Sequence, residues 1–130
     1  MSVSKRVHAF LVLAEKDLEA AEALARIPNR YDAFHVQQGL EKLLKAILLA
    51  RGLEAGTEHR LVPLLDRLPV GDPWRERLGP LLDYSDYATA FRYPTPGGRI
   101  VDEPEPAKVL ADAHAARALI ALALDELRLL

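Results

Sequence analysis

The stretch Tyr31–Ala46, "YDAFHVQQGLEKLLKA", decides the fold, because its leucines recur at helical spacing while a second set of residues repeats with the same period. Val36, Leu40, Leu43, Leu44 and Ile47 share one face at about 100° per residue, the stripe with which a helix packs on a core. With these inward, Phe34, Gln38, Glu41 and Lys45 form a stripe on the opposite side, flanked by His35 and Lys42, with Gln37 at the border. A solvated face, in which Glu41 and Lys45 make an i,i+4 pair, explains the charges but leaves the Phe34 ring without a role. An aromatic, an imidazole and two amides interleaved with two lysines are also able to stack a base, read its edge and neutralise phosphate. They are equally suited to packing against another subunit. On the residues alone these readings stay open.

Outward from this helix the same periodicity continues. Upstream, Val3, Val7, Leu11, Ala14, Leu18, Ala21 and Ala25 line one face of a helix that stops at "IPNR", where Pro28 disfavours a helical Ile27. The second helix runs from about Tyr31 to Arg51, and Gly52 suits the left-handed position beyond its end. After "GLEAGTEHR" comes a short apolar piece, "LVPLLDRL", then a break at "PVGDP". A third long segment is expected from Pro73 to just before Pro94, kinked at Pro80. "PTPGGRIVDEPEP" has the composition of an exposed loop, with Glu103, Pro104 and Glu105 suited to the first turn of a last helix. That helix buries Val109, Ala113, Ala116, Ile120, Leu124 and Leu127. No strand pattern, repeat or low-complexity tract interrupts the series. The expected fold is a single all-α domain over 1–130, an up-and-down four-helix bundle with a short extra helix.

Composition narrows the function classes. A chain of 130 residues is about one domain with a real core. It has no cysteine, so disulfide and thiolate chemistry are excluded. Lys and Arg number 17 against 19 Asp and Glu, a net charge of −2, without the basic excess that drives general nucleic-acid binding. No apolar run approaches the roughly twenty residues that span a bilayer, and acidic residues arrive too early for a signal peptide. The expectation is a soluble, cytoplasmic protein without membrane contact.

Four segments together resemble the HEPN family of helical, nucleotide-associated domains. "AEKDLEAAEAL" (Ala14–Leu24) is similar to the family's A-x-x-D-L-x-x-A, and "AFHVQQGLEKLLKAIL" to its A-x-F-x-x-Q-Q-x-x-E-K-x-L-K-A signature. "TEHRLVPLL" stands in place of T-H-x-L-x-x-L, with Glu58 inserted, and "LLDYSDYATAFRYP" resembles the segment ending in Arg-Tyr-Pro in one branch. Gly39 stands where a small Ala is usual, at a helix cost of about 1 kcal/mol. The resemblance implies a bundle that often forms a homodimer and one of two roles. Many members partner a minimal nucleotidyltransferase, as its substrate-binding companion or as half of a toxin–antitoxin pair; others are metal-independent ribonucleases. The ribonucleases carry an Arg, four to six residues and a His near the last helix, and neither Arg92 nor Arg99 has a His at that spacing. "RYDAFH", Arg30 to His35, matches formally but lies at the start of the second helix, where it is read as coincidence.

The remaining singular residues have ordinary readings too. His59 suits a structural role, orienting the loop before the short apolar piece. His114 beside Arg117 suits a solvated pair better than a phosphate contact, and His8 lies near the terminus. Tyr84, Tyr87 and Phe91 follow an i, i+3, i+7 line and read as core. Arg92 and Tyr93 stand at a helix end before a Pro-Gly loop, exposed enough to meet a ligand. No metal set, phosphate loop or nucleophile with its base can be assembled, so neither cofactor nor catalytic residue is expected. The resulting expectation is a non-catalytic domain that binds a nucleotide or a nucleotidyltransferase partner through Phe34, His35, Gln38, Lys42, Lys45, Arg92 and Tyr93. The rivals are a metal-independent ribonuclease and a purely structural dimerisation module.

Overall fold

In a computed structural model, which describes residues 3–27, 29–85 and 92–127, every regular element is helical. These are α1 (Val3–Arg26), α2 (Asp32–Ala50), α3 (Leu61–Leu65), α4 (Pro73–Leu78) with a 3-10 turn over Gly79–Tyr84, and α5 (Pro106–Leu127). The result is an all-α bundle in which α1, α2 and α5 are the long members and the composite Pro73–Tyr84 segment, with the short α3, covers the remaining side of α2.

The apolar periodicity explains why α2 sits at the centre. Val36, Leu40, Leu43, Leu44 and Ile47 are all buried, and so is the α1 line of Val7, Leu11, Ala14, Leu18, Ala21 and Ala25. Small residues set how closely the two helices meet. A Cβ on Gly39 would lie 2.8 Å from both Cγ and Cδ2 of Leu18 and 3.2 Å from the Ala14 carbonyl oxygen. The glycine is therefore the site of close α1–α2 approach, not a mild defect of α2. Helix α5 covers the pair with an alanine-rich face in which Val109, Ala113, Ala116, Ile120, Ala123 and Leu127 are buried. Trp74 and Tyr84 close the far side with no exposed surface, each worth about 1.5 to 3 kcal/mol of transfer free energy.

Several boundaries differ from the sequence reading. Helix α1 ends at Arg26 and α2 at Ala50, and Gly52 adopts φ +75°, the left-handed turn expected there. Over its described residues 73–85 the third long segment is not one kinked helix. Asp72 caps α4 by accepting from the Trp74 N–H at 3.0 Å, and Pro80, unable to donate, falls at the start of a 3-10 turn instead of inside an α-helix. Tyr84 is core, as expected, whereas Tyr87 and Phe91 lie outside the described residues. Helix α5 begins at Pro106, with the Glu105 carbonyl accepting from Lys108 and Val109 N–H groups, so Glu103 and Pro104 precede the helix. Leu124 is 38% exposed and not core. Among the described residues no helix is long and apolar enough to cross a membrane.

Candidate ligand-binding cleft

Two chain segments distant in sequence make one cleft beside the start of α2. The loop after residue 91 folds on itself around Thr95: the Arg99 N–H donates to Thr95 Oγ1 at 2.9 Å, and the Thr95 N–H donates to the Arg99 carbonyl at 2.8 Å. Gly98, at φ +83°, supplies the left-handed turn that closes this motif. The loop is then clasped to the α1–α2 connection, where Arg30 donates to Glu103 Oε2 at 2.7 Å and to the Val101 carbonyl at 2.6 Å. Between them lies a cleft of about 400 Å³ whose walls include Arg30 and Tyr31 on one side and Arg92, Tyr93 and Ile100 on the other.

Arg92 is the centre of this arrangement. Its guanidinium carbon stands 4.4 Å from the centroid of the Phe34 ring and 5.4 Å from that of Tyr93. A flat cation against aromatic faces is held in orientation by the rings. Phe34 in turn meets His35 edge to face, with ring centroids 5.2 Å apart. Tyr31, Tyr93 and Ile100 are 41%, 62% and 69% exposed, an unusual density of accessible aromatic and aliphatic surface around two arginines. Beneath the clasp, Asp32 is buried and accepts from the Ala33 N–H at 2.6 Å. Burial pushes its carboxyl above the ordinary range, the Ala33 bond pulls it back in part, and the Glu103 charge adds to the rise.

The polar stripe of α2 does not come together as one solvent-facing surface. Arg92 and Tyr93 line the cleft, Phe34 stacks on Arg92 and His35 packs on Phe34, but Lys42 and Lys45 belong elsewhere. Lys42 Nζ donates to Asp17 Oδ2 at 2.6 Å, and His35 Nδ1 lies 3.2 Å from Asp17 Oδ1, so one α1 carboxylate holds both residues across the seam between α1 and α2. Burial raises the Asp17 carboxyl, yet the bonds from His35 and Lys42 outweigh it and leave the group below its usual value. Gln38 donates to Gln37 Oε1 at 2.7 Å, and Gln37 donates to the His59 carbonyl at 2.8 Å. Glu41, expected on a solvated face, is buried: Lys45 Nζ at 3.0 Å and His59 Nδ1 at 2.9 Å both meet its Oε2. The reason is the covering of α2 by α1 on one flank and by the loop before α3 on the other, which leaves little of the helix open.

His59 thus orients its loop, as its sequence context suggested, and the inserted Glu58 has a local task. Its Oε2 accepts from the N–H groups of His59 and Arg60 and from Arg60 Nε, and the Arg60 backbone and side-chain bonds hold its pKa down to about 2. His114 and Arg117 pair across to α1, Arg117 donating to Glu15 Oε2 and Glu22 Oε1 at 2.9 Å each. The sequence reading passed over Asp17, Tyr31 and Ile100. Asp17 had a signal, since it lies on the border of the apolar stripe of α1 where α2 must cross. Tyr31 and Ile100 had none, because their proximity depends on the Arg30 clasp.

No group of three or more His, Asp or Glu side chains that could hold a metal ion occurs among the described residues. What the cleft offers is guanidinium charge, exposed flat rings and an apolar edge. Neither curated proteins nor solved structures gave a match to the chain. The sequence profile described as HEPN domain matches residues 7–123, which span α1 through most of α5 and include every residue of the cleft. The chain therefore belongs to the HEPN domain family.

Proposed function

We propose that this HEPN domain binds a nucleotide in the Arg92 cleft without catalysing its turnover. The observation that carries this reading is the Arg92 guanidinium stacked against Phe34 and Tyr93 at the mouth of a cleft that also holds Arg30 and Tyr31. Phosphate oxygens meet the guanidinium edges, and a base stacks on an exposed phenol. The cleft volume of about 400 Å³ falls within the range of small-ligand sites. Titration calorimetry with ATP tests it: weak binding that falls as salt rises is expected, and Arg92→Glu is expected to reduce affinity at least tenfold, about 1.4 kcal/mol. Binding untouched by Arg92→Glu would remove the cleft as the site.

Family membership supports a minimal nucleotidyltransferase as partner, in a toxin–antitoxin pair or as its substrate-binding companion, with the same exposed rings forming the contact. Homodimerisation belongs to the same proposal, and sedimentation equilibrium of the wild type and of Phe34→Asp measures it. A ribonuclease is the second reading, favoured by one observation. His35, oriented by Asp17, lies against the ring that also carries Arg92, so an acid–base imidazole and a cation flank one aromatic. RNA cleavage without magnesium, lost in both His35→Ala and Arg92→Ala, would establish that reading over the first.

A further inference from the structure

Lys45 is left unexplained by the cleft. It lines a separate pocket of about 230 Å³ together with Arg6 and Phe10 of α1, Leu49 of α2, and Leu53 and Gly56 of the following loop. The loop wall is built rather than loose. The Leu53 N–H donates to the Leu48 carbonyl at 2.8 Å past Gly52, Gly56 turns at φ +60°, and Arg67 donates to the carbonyls of Glu54, at 2.9 Å, and Ala55. With those two carbonyls taken by Arg67, the loop has fewer acceptors left for the cations opposite.

The charge balance of this pocket is positive on its inner side. The side chain of Lys45 is only 12% exposed, so its ammonium is held at the pocket wall and not in bulk water. Its one carboxylate partner, Glu41, divides a single negative charge between Lys45 Nζ and His59 Nδ1, both on the same oxygen. An ammonium has three protons to donate, and one carboxylate oxygen takes one of them. Arg6, on the facing helix, makes no ion pair with a described residue. The one acidic side chain of the lining, Glu54, is exposed. Phe10, Leu49 and Leu53, each packed partly into the core, give the pocket apolar walls beside its two cations.

We propose that this pocket is a second binding site, for a small ligand that joins an anionic oxygen headgroup, carboxylate or phosphate monoester, to a short apolar body. Arg6 and Lys45 take the headgroup by charge-assisted hydrogen bonds, and Phe10 with the two leucines takes the body. At about 230 Å³ the space is below the usual range of roughly 300 to 1,000 Å³ for small-molecule and cofactor sites, which selects against a whole nucleotide. The site is independent of the Arg92 cleft, and each reading stands or falls without the other.

Titration of the isotopically labelled chain with butyrate and with propyl phosphate, followed by amide NMR shifts, tests the assignment. Saturable shifts centred on Arg6, Lys45 and residues 49–56 are expected from at least one probe, and the tighter of the two identifies the headgroup. Arg6→Ala, an exposed change that spares the core, is expected to weaken that binding at least fivefold, and Lys45→Gln likewise. ATP is expected to shift the amides around Arg92 and Tyr93 instead. Shifts that grow linearly with both probes, saturable shifts centred on the Arg92 cleft, or saturable binding that Arg6→Ala leaves unchanged would overturn the proposal.

Discussion

Two regions of the molecule use the same residue types for opposite ends. Along α2, basic side chains are matched to carboxylates: in the seam with α1, Asp17 takes Lys42 and His35, and on the flank toward the loop before α3, Glu41 takes Lys45 with His59. In the cleft, Arg92 is stacked on rings, with its guanidinium over Phe34 and Tyr93. The difference teaches that a lysine or histidine in the family-like stretch of α2 is not by that fact part of a binding surface. The two kinds of site differ in the partner that orients the basic group: a carboxylate answers its charge, whereas an aromatic face stacks on its plane.

The largest expected effect breaks the seam sterically. Gly39→Val should destabilise the chain by about 3 kcal/mol, because a branched side chain meets Leu18 and the Ala14 carbonyl where even a Cβ is too close. Gly39→Ala should still cost about 1 kcal/mol, although alanine is intrinsically the better helix former by a similar amount. Urea unfolding measures both, and a stabilised Gly39→Ala would show that the helices can separate without loss.

Next comes the electrostatic side of the seam. Asp17→Ala leaves the partly buried Lys42 ammonium and the His35 imidazole without their shared carboxylate and should cost about 2 kcal/mol at pH 7. Because the folded pKa of Asp17 lies below its unfolded value, the contribution is complete above the ordinary carboxylate range near pH 3.9 and is lost as pH falls through the folded value. The stability gap between wild type and Asp17→Ala should therefore close in acid, below about pH 4. For the same reason Lys42→Glu should lower stability as well as any affinity, since it sets two carboxylates against each other.

The cleft should respond in the reverse manner. Arg92→Ala forfeits stacking worth about 0.5 to 1 kcal/mol on the Phe34 ring, and it should cost less stability than Asp17→Ala while nucleotide binding falls. A large loss of stability in Arg92→Ala, matching that of Asp17→Ala, would erase the distinction between the two regions. The smallest effect belongs to Asp32→Asn. The wild-type carboxyl is raised by burial and by Glu103, so its charge opposes folding at neutral pH, and this penalty vanishes in acid. An amide keeps the acceptor for the Ala33 N–H, and thermal unfolding at pH 7 should show a slight gain that is absent at low pH.

The legibility of these regions in the sequence follows the range of the interactions that make them. The apolar lines of α1 and α2 are local, set by a repeat of three to four residues, and every described member from Val7 to Ile47 named from that repeat is buried. Core position thus needed only periodicity. The outer faces did not follow the same logic, because Glu41 and Lys45 are covered by elements outside α2, and periodicity carries no information about what covers a flank. Leu124 failed for its place on α5: the buried line runs through Ile120, Ala123 and Leu127, and Leu124 lies beside it. Of the candidate site, Phe34, His35, Arg92 and Tyr93 were legible from their motifs and do gather. Lys42, Lys45 and Gln38 were legible as polar residues of the same stripe but are committed to Asp17, Glu41 and Gln37.

The Arg30 clasp has a consequence for the order in which the molecule comes into being. Arg30 and Glu103 are 73 residues apart in sequence, whereas the α1–α2 hairpin forms between neighbours. Closing so long a stretch of chain costs more entropy than closing a hairpin, and the closure is rewarded only once the intervening helices have settled. During synthesis the hairpin can therefore assemble while the residues of the opposite cleft wall are still unmade. Ligand affinity at the cleft then reports the finished chain alone, and a ligand that binds there draws its stabilisation from the last contacts to form.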